Sequence, residues 1–258
     1  MEEQKKVLLA GIAFVLLIVV GAAIYYFVFY QKPEQAKDIT EMPQEQALAE
    51  EQVKPEEEEI EPLQIDLDKS DELMRERVGE LSSHPKLALW LMSNDLIRKL
   101  VAAVDNIANG QSPRAHIDFF KPEGDFIVAE EVGEQFIDPE SYKRYDLTAN
   151  VFVSLDTKGC VTLYKQITPA LQEAYRDLGY PSGDFHTTLK KAIMELLKVP
   201  VVEEKIQVEK KVITYMMVDS KLESLNQAQK HLLRMGPENV RRIKTKLKEI
   251  VQALGFQE

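Results

Sequence analysis

The alternation of apolar and polar residues divides the chain into three stretches. From Val7 to Tyr30 there is no charged residue, no Asn or Gln and no Pro. At about 1.5 Å rise per residue this run spans roughly 36 Å as a helix, enough to cross a hydrocarbon core of about 30 Å. Residues 7–30 are therefore predicted to form a transmembrane helix. Gly21-Ala22-Ala23 offers small residues at a signal-peptide cleavage point, but the apolar run continues to Tyr30. It outlasts the roughly 7–15 residues of a signal peptide's apolar region. Its far end carries Tyr25, Tyr26, Phe27, Phe29 and Tyr30, as at a membrane–water interface. The expectation is an uncleaved signal anchor. Lys5 and Lys6 precede the span and Lys32 and Lys37 follow it, so the flanking counts are equal. The nearer pair lies on the short tail, residues 1–6, which places that tail in the cytoplasm and the rest in the bacterial periplasm.

Residues 31–63 change character: four prolines, many Glu and Gln, no aromatic and no Gly. The whole chain carries a net charge of −11, and eleven acidic residues against three Lys put most of it in this stretch. Such a segment buries too little apolar surface to offset its ordering entropy, and reads as a disordered acidic tether. A flexible coil of this length has an r.m.s. span of roughly 30 Å, and like charges and Pro extend it.

Residues 64–258 carry periodic apolar stripes and read as one helix-rich domain with a small β element, an α+β fold. Leu73, Met74, Val78 and Leu81 form a stripe that stops at Ser82-Ser83-His84-Pro85, and a short helix spans Leu87 to Met92. Asn94 is placed to cap a helix bearing Leu96, Ile97, Val101 and Val104, with Gly110 beyond its end. Phe126 to Val132 reads as a strand. Asp138-Pro139 opens a helix through Tyr142, Tyr145, Ala149, Phe152 and Val153. The next runs from Val161 to Leu178, and Pro169 should kink or split it. Ser182 to Lys198 is a further helix. Ile206 to Val218 alternates as one or two strands, expected to pair with 126–132. Asp219 caps a helix through Leu233; Gly236-Pro237 ends it and starts the last, through Leu254.

Candidate chemistry is sparse. Cys160 is the single cysteine, on an apolar helix face, so no intramolecular disulfide is possible. The four histidines are far apart, and no phosphate loop, nucleophile elbow or dinucleotide fingerprint is present, so no cofactor or metal is expected. Two segments stand out. Tyr142-Lys143-Arg144-Tyr145-Asp146 crowds aromatic bodies and a guanidinium onto one helix; Tyr142, Arg144 and Tyr145 are either a recognition surface or simply a buried face. In Leu233 to Asn239, Gly236 is expected at positive φ, with Glu238 in the first helical turn; Arg234 and Glu238 are the candidate contact residues. Arg241, Arg242, Lys244, Lys246 and Lys248 read as a solvated face opposite the last helix's stripe. The domain apart from anchor and tether is close to neutral, and a nucleic-acid partner is not expected.

The segments 93–110 (SNDLIRKLVAAVDNIANG), 142–146 (YKRYD), 163–181 (LYKQITPALQEAYRDLGYP) and 225–250 (LNQAQKHLLRMGPENVRRIKTKLKEI) resemble the bacterial family catalogued as domain of unknown function 3014. The resemblance covers roughly residues 63–254. It implies an envelope protein with one N-terminal span and a variable tether, and brings no activity, cofactor or catalytic residue. The leading expectation is a non-enzymatic, inner-membrane-anchored module that binds an envelope protein or polymer. A hydrolase or transferase would need a pocket uniting, for example, His186 with two carboxylates. A structural subunit of an envelope complex would show a large exposed apolar patch.

Overall fold

The computed structural model describes residues 60–117, 121–122 and 124–256. The predicted anchor and residues 31–59 of the predicted tether lie outside the described residues. Among the described residues, no helix is long and apolar enough to cross a membrane.

The domain is mostly helical with a small antiparallel sheet. In chain order its elements are α1 (Ser70–Gly79), α2 (Leu87–Trp90), α3 (Leu96–Ala108), β1 (Val128–Glu131), β2 (Glu134–Ile137), α4 (Pro139–Lys143), α5 (Asp146–Ser154), α6 (Thr157–Asp177) and α7 (Phe185–Leu197). Then come β3 (Gln207–Lys210), β4 (Tyr215–Met217), α8 (Ser220–Glu223), α9 (Gln227–Leu233) and α10 (Gly236–Ala253).

Two apolar cores share α7. One joins the sheet, α5, α9 and α10 through Ile137, Ala149, Val199, Val208, Leu233 and Val240. The other joins α1, α3 and α6 through Met74, Ile97, Val101, Leu171 and Ala174, with Leu63 and Ile65 packed on it. Leu189 of α7 touches both.

Several elements differ from the sequence pattern for identifiable reasons. Asn94 is not the cap of α3. Asp95 holds that position at φ 57° without capping through its own side chain. The donors are taken instead by Asp71 of α1, whose carboxylate accepts from the N–H of Asp95 (2.9 Å) and of Leu96 (2.9 Å). A carboxylate at a helix N-terminus satisfies the open donors and matches the macrodipole.

The helix expected from Asp138 to Val153 is two. Asp138 caps α4 with Pro139 at its first position. Ser141 then pins α4 to the chain entering β1: its Oγ accepts from Ile127 N (2.7 Å) and donates to Ile127 O (2.8 Å). The chain resumes as α5 after Arg144-Tyr145. The helix expected from Asp219 also divides, because Asn226 and Gln229 form a reciprocal capping box that starts α9. Pro169 does not split α6, which runs unbroken for 21 residues. Around the turn before the proline, carbonyls receive added donors: Leu63 N to Gln166 O (2.8 Å) and Thr168 Oγ1 to Tyr164 O (2.8 Å). Asp184 caps α7, so that helix begins at Phe185 rather than Ser182.

The sheet order is β1-β2-β3-β4, antiparallel throughout. The expected pairing of 126–132 with 205–218 is interrupted by β2, a strand the sequence pattern missed. Gln135 pairs with Val208 and Phe136 with Gln207. That register sets both hairpin turns, at Val132-Gly133 and at Lys211 to Thr214, at the same end of the sheet.

Candidate functional site

The two marked segments meet. The α4–α5 junction packs on the α9–α10 junction, and the Tyr142 ring lies directly over Gly236. Asn239 Nδ2 donates to Asp146 Oδ1 (2.8 Å), joining α10 to α5. Tyr145 is buried at 5 % exposure and meets the His231 ring edge-on, centroids 6.0 Å apart. Burial, together with the charges of Arg114 and Arg234, pushes His231 down to about 4, so it is neutral at physiological pH. Its Nδ1 lies 3.3 Å from Ser112 Oγ. Burial pushes Tyr142 up to about 12, so its hydroxyl stays protonated.

Arg144 is half-buried and joins chain segments. Its Nε donates to Ser141 O (3.0 Å) and Nη1 to Gly124 O (3.1 Å), and the guanidinium sits 5.7 Å from the Phe126 and Tyr145 centroids. Arg234 is half-buried, and its charge acts on His231 and Glu223. Glu238 is exposed in the first turn of α10. Of the five candidate residues, Tyr142, Tyr145 and Arg144 form a packed joint, with Glu238 facing solvent beside it.

The other candidates for chemistry stand apart. His186 Nδ1 lies 2.8 Å from the Tyr164 hydroxyl, and its ring meets Phe256 at 4.7 Å. Asp184, which caps the same helix, is held low by Thr187 and, more weakly, by His186. Cys160 is half-buried and its thiol is pushed up, first by burial and then by Asp156. Among the described residues, no three His, Cys, Asp or Glu side chains stand together as metal ligands.

The most exposed large apolar side chains among the described residues are elsewhere. Val132 at the β1–β2 turn is 105 % exposed, and Val212 and Ile213 at the β3–β4 turn are 96 % and 91 % exposed. Val132 has φ 53° and Gly133 φ 82°. Two positive φ values are what a tight type I′ hairpin turn requires, and Asn-Gly is its usual sequence. A β-branched residue there is a backbone outlier. Around the tips the charges are paired: Lys205 with Glu131, and Lys211 with Glu209 (2.6 Å).

The family described as protein of unknown function, DUF3014, matches residues 96–251. The chain belongs to this family. No curated protein and no solved structure matches the chain. The DUF3014 match runs from the start of α3 nearly to the end of α10, and so takes in the tyrosine joint and the sheet end.

Proposed function

We propose that this DUF3014 chain is a non-enzymatic, inner-membrane-anchored envelope module that docks a protein partner through the end of its sheet. The observation that carries the reading is the pair of hairpin tips. Val132, Val212 and Ile213 are aliphatic, β-branched and almost fully in water, on adjacent turns at one sheet end. Scattered apolar surface residues need no explanation, but three such residues on two turns at the same end of a sheet suit a binding surface. Its rim is polar and charged, the anatomy of a protein–protein interface.

The rim favours a protein over a bilayer. Glu130, Glu131, Glu134 and Glu209 outnumber Lys205, Lys210 and Lys211, and an acidic surplus is repelled by anionic lipid. The apolar run at 7–30 and the tether after it then keep the domain near the membrane while letting it search for its partner. The Lys pair directly before the apolar run supports a periplasmic domain.

The test is a photo-crosslinking residue placed at Val212 in the full chain in intact cells, with the same residue at exposed Glu173 of α6 as control. A discrete protein adduct from position 212 and none from 173 is expected. Equal adducts from both, or none from 212, overturns the docking surface. A phosphatase fused to Glu258 should be active and a fluorescent protein dark; the opposite result reverses the orientation.

A further inference from the structure

Independent of the sheet end, α5 and α10 flank an open cleft of about 300 Å³ lined by Val153, Arg241, Arg242, Thr245, Lys246 and Glu249. We infer that this cleft binds the phosphoryl group of a hydroxyl-bearing ligand.

The sequence of α10 puts Arg242, Lys246 and Glu249 on one face at spacings of four and three. Two of the cations are held in place by neutral oxygens. Arg242 Nη2 donates to Asn150 Oδ1 at 2.8 Å. Lys246 Nζ donates to Leu155 O and to Thr157 Oγ1, each at 3.1 Å, and its side chain is largely buried. For Arg242 the acceptor is neutral and leaves its charge uncancelled, whereas Lys246 also pairs with Glu249 Oε2 at 2.9 Å. The side-chain ordering that binding would otherwise cost has thus been met in folding. Arg241 pairs with Glu203 at the exposed edge, a contact weak enough to exchange for a ligand.

Glu249 restricts what can enter. It takes a hydrogen bond from Lys246 and another from Thr157, which hold its carboxyl below the usual range, so it is ionised. Arg241, Arg242 and Lys246 against Glu203 and Glu249 leave a surplus of one positive charge, which suits one phosphoryl group. The Glu249 carboxylate repels a second anion beside it and accepts from a hydroxyl. Arginine's planar fork matches phosphate oxygens in two-point contact. Val153 supplies an apolar wall for a carbon skeleton. A sugar phosphate and a phospholipid headgroup both present this chemistry.

The experiment is calorimetric titration of the full chain in neutral detergent with glucose 6-phosphate, inorganic phosphate, glucose and water-soluble dihexanoyl phosphatidylglycerol. Saturable binding of glucose 6-phosphate that exceeds inorganic phosphate, and none of glucose, is expected. Stronger binding of the phosphatidylglycerol would assign the source to a lipid headgroup, and stronger binding of the sugar phosphate to a soluble or polymeric glycan. Arg242→Gln keeps a donor for Asn150 and removes the charge; it should weaken binding about tenfold or more, with the melting temperature little changed. Val153→Glu leaves the cation ties in place and sets a carboxylate into the cleft; it should abolish binding. No saturable binding of any phosphate probe, or affinity unmoved by both variants, overturns the site. Crosslinking from Val212 should persist in Arg242→Gln, which separates failure of this cleft from failure of the sheet-end docking.

Discussion

At Gly236 and at Val132 the backbone takes a positive φ, 84° and 53°. The surroundings are opposite. Gly236 is buried under Tyr142, at the joint where α9 turns into α10, and the absent side chain is what lets the ring lie there. Val132 stands in water at a hairpin tip, in a conformation that disfavours its branched side chain, with no packing to offset the cost. In one place the left-handed residue is explained by the fold it completes. In the other the turn is better served by Asn, and no contact within the domain accounts for the valine. Strain that folding does not explain is a pointer to function.

The comparison is easiest to break at the buried end. A Cβ on Gly236 would lie 2.5 Å from Tyr142 Cγ and 2.7 Å from its Cβ, distances no packed pair sustains. Overpacking costs about 1–3 kcal/mol and the left-handed conformation about 1–2 more. Gly236→Ala should therefore lose about 3–4 kcal/mol in urea unfolding. Adding Tyr142→Gly, which removes both of those atoms, should relieve the clash and leave the backbone cost, giving a clear non-additivity. A loss below about 1 kcal/mol from the single change would mean the joint is looser than its geometry.

The same joint makes the domain acid-sensitive through His231. Its folded value, about 4, lies below the ordinary 6.5. Above 6.5 the residue is neutral folded and unfolded, and contributes no slope. Between about 6.5 and 4 only the unfolded chain takes up the proton, so stability falls as pH falls, by about 3 kcal/mol over the window. Comparing the chain with His231→Gln from pH 7 to 4 isolates this contribution from the carboxylates. Parallel curves would show that His231 is no more costly to protonate in the fold than out of it.

Arg144 tests whether the joint is held together from its rim. Its two hydrogen bonds reach Ser141 O and Gly124 O, and its guanidinium covers Phe126 and Tyr145. Arg144→Ala should cost about 1–2 kcal/mol, combining lost hydrogen bonds with lost cation–π contact. Arg144→Lys should recover only part, since an ammonium cannot span both carbonyls in a plane. An unchanged melting temperature would return Arg144 to the list of recognition groups.

What the sequence made legible follows from range. Gly110, Asp138-Pro139 and the positive φ of Gly236 were readable because each is decided by a few neighbouring residues. The α+β class was readable from periodicity. Asp71 capping α3 was not, because the cap comes from a different helix. The strand β2 offers only Phe136 and Ile137 as apolar residues, too short a pattern to stand out beside its turn. At the candidate site, the segments around Tyr142 and Gly236 stand out in the sequence, but sequence could not tell that they pack on each other. Arg242 and Lys246 read as solvated because the oxygens that fix them, on Asn150, Leu155 and Thr157, lie about 90 residues away in the chain. The tips did leave a signal. Val132-Gly133 and Lys211-Val212-Ile213-Thr214 put aliphatic residues where hairpin turns ordinarily carry Asn, Asp or Gly.

That signal supports the smallest and most discriminating test. Asn tolerates the left-handed region that valine resists, so Val132→Asn should stabilise the domain, by about 1 kcal/mol. It removes an exposed aliphatic side chain and touches nothing in either core. If Val132 serves only the turn, the substitution improves the protein and changes nothing else. If the sheet end docks a partner, the same substitution should raise the urea midpoint while lowering the yield of adducts from position 212. Few changes are expected to strengthen a fold and weaken its function together, and this pairing is what places the cause of the strain outside the domain. A Val132→Asn chain that is more stable and still crosslinks fully would leave Val212 and Ile213 as the whole contact. One that is less stable would show that the turn favours valine after all, and the contrast with Gly236 would lose its force.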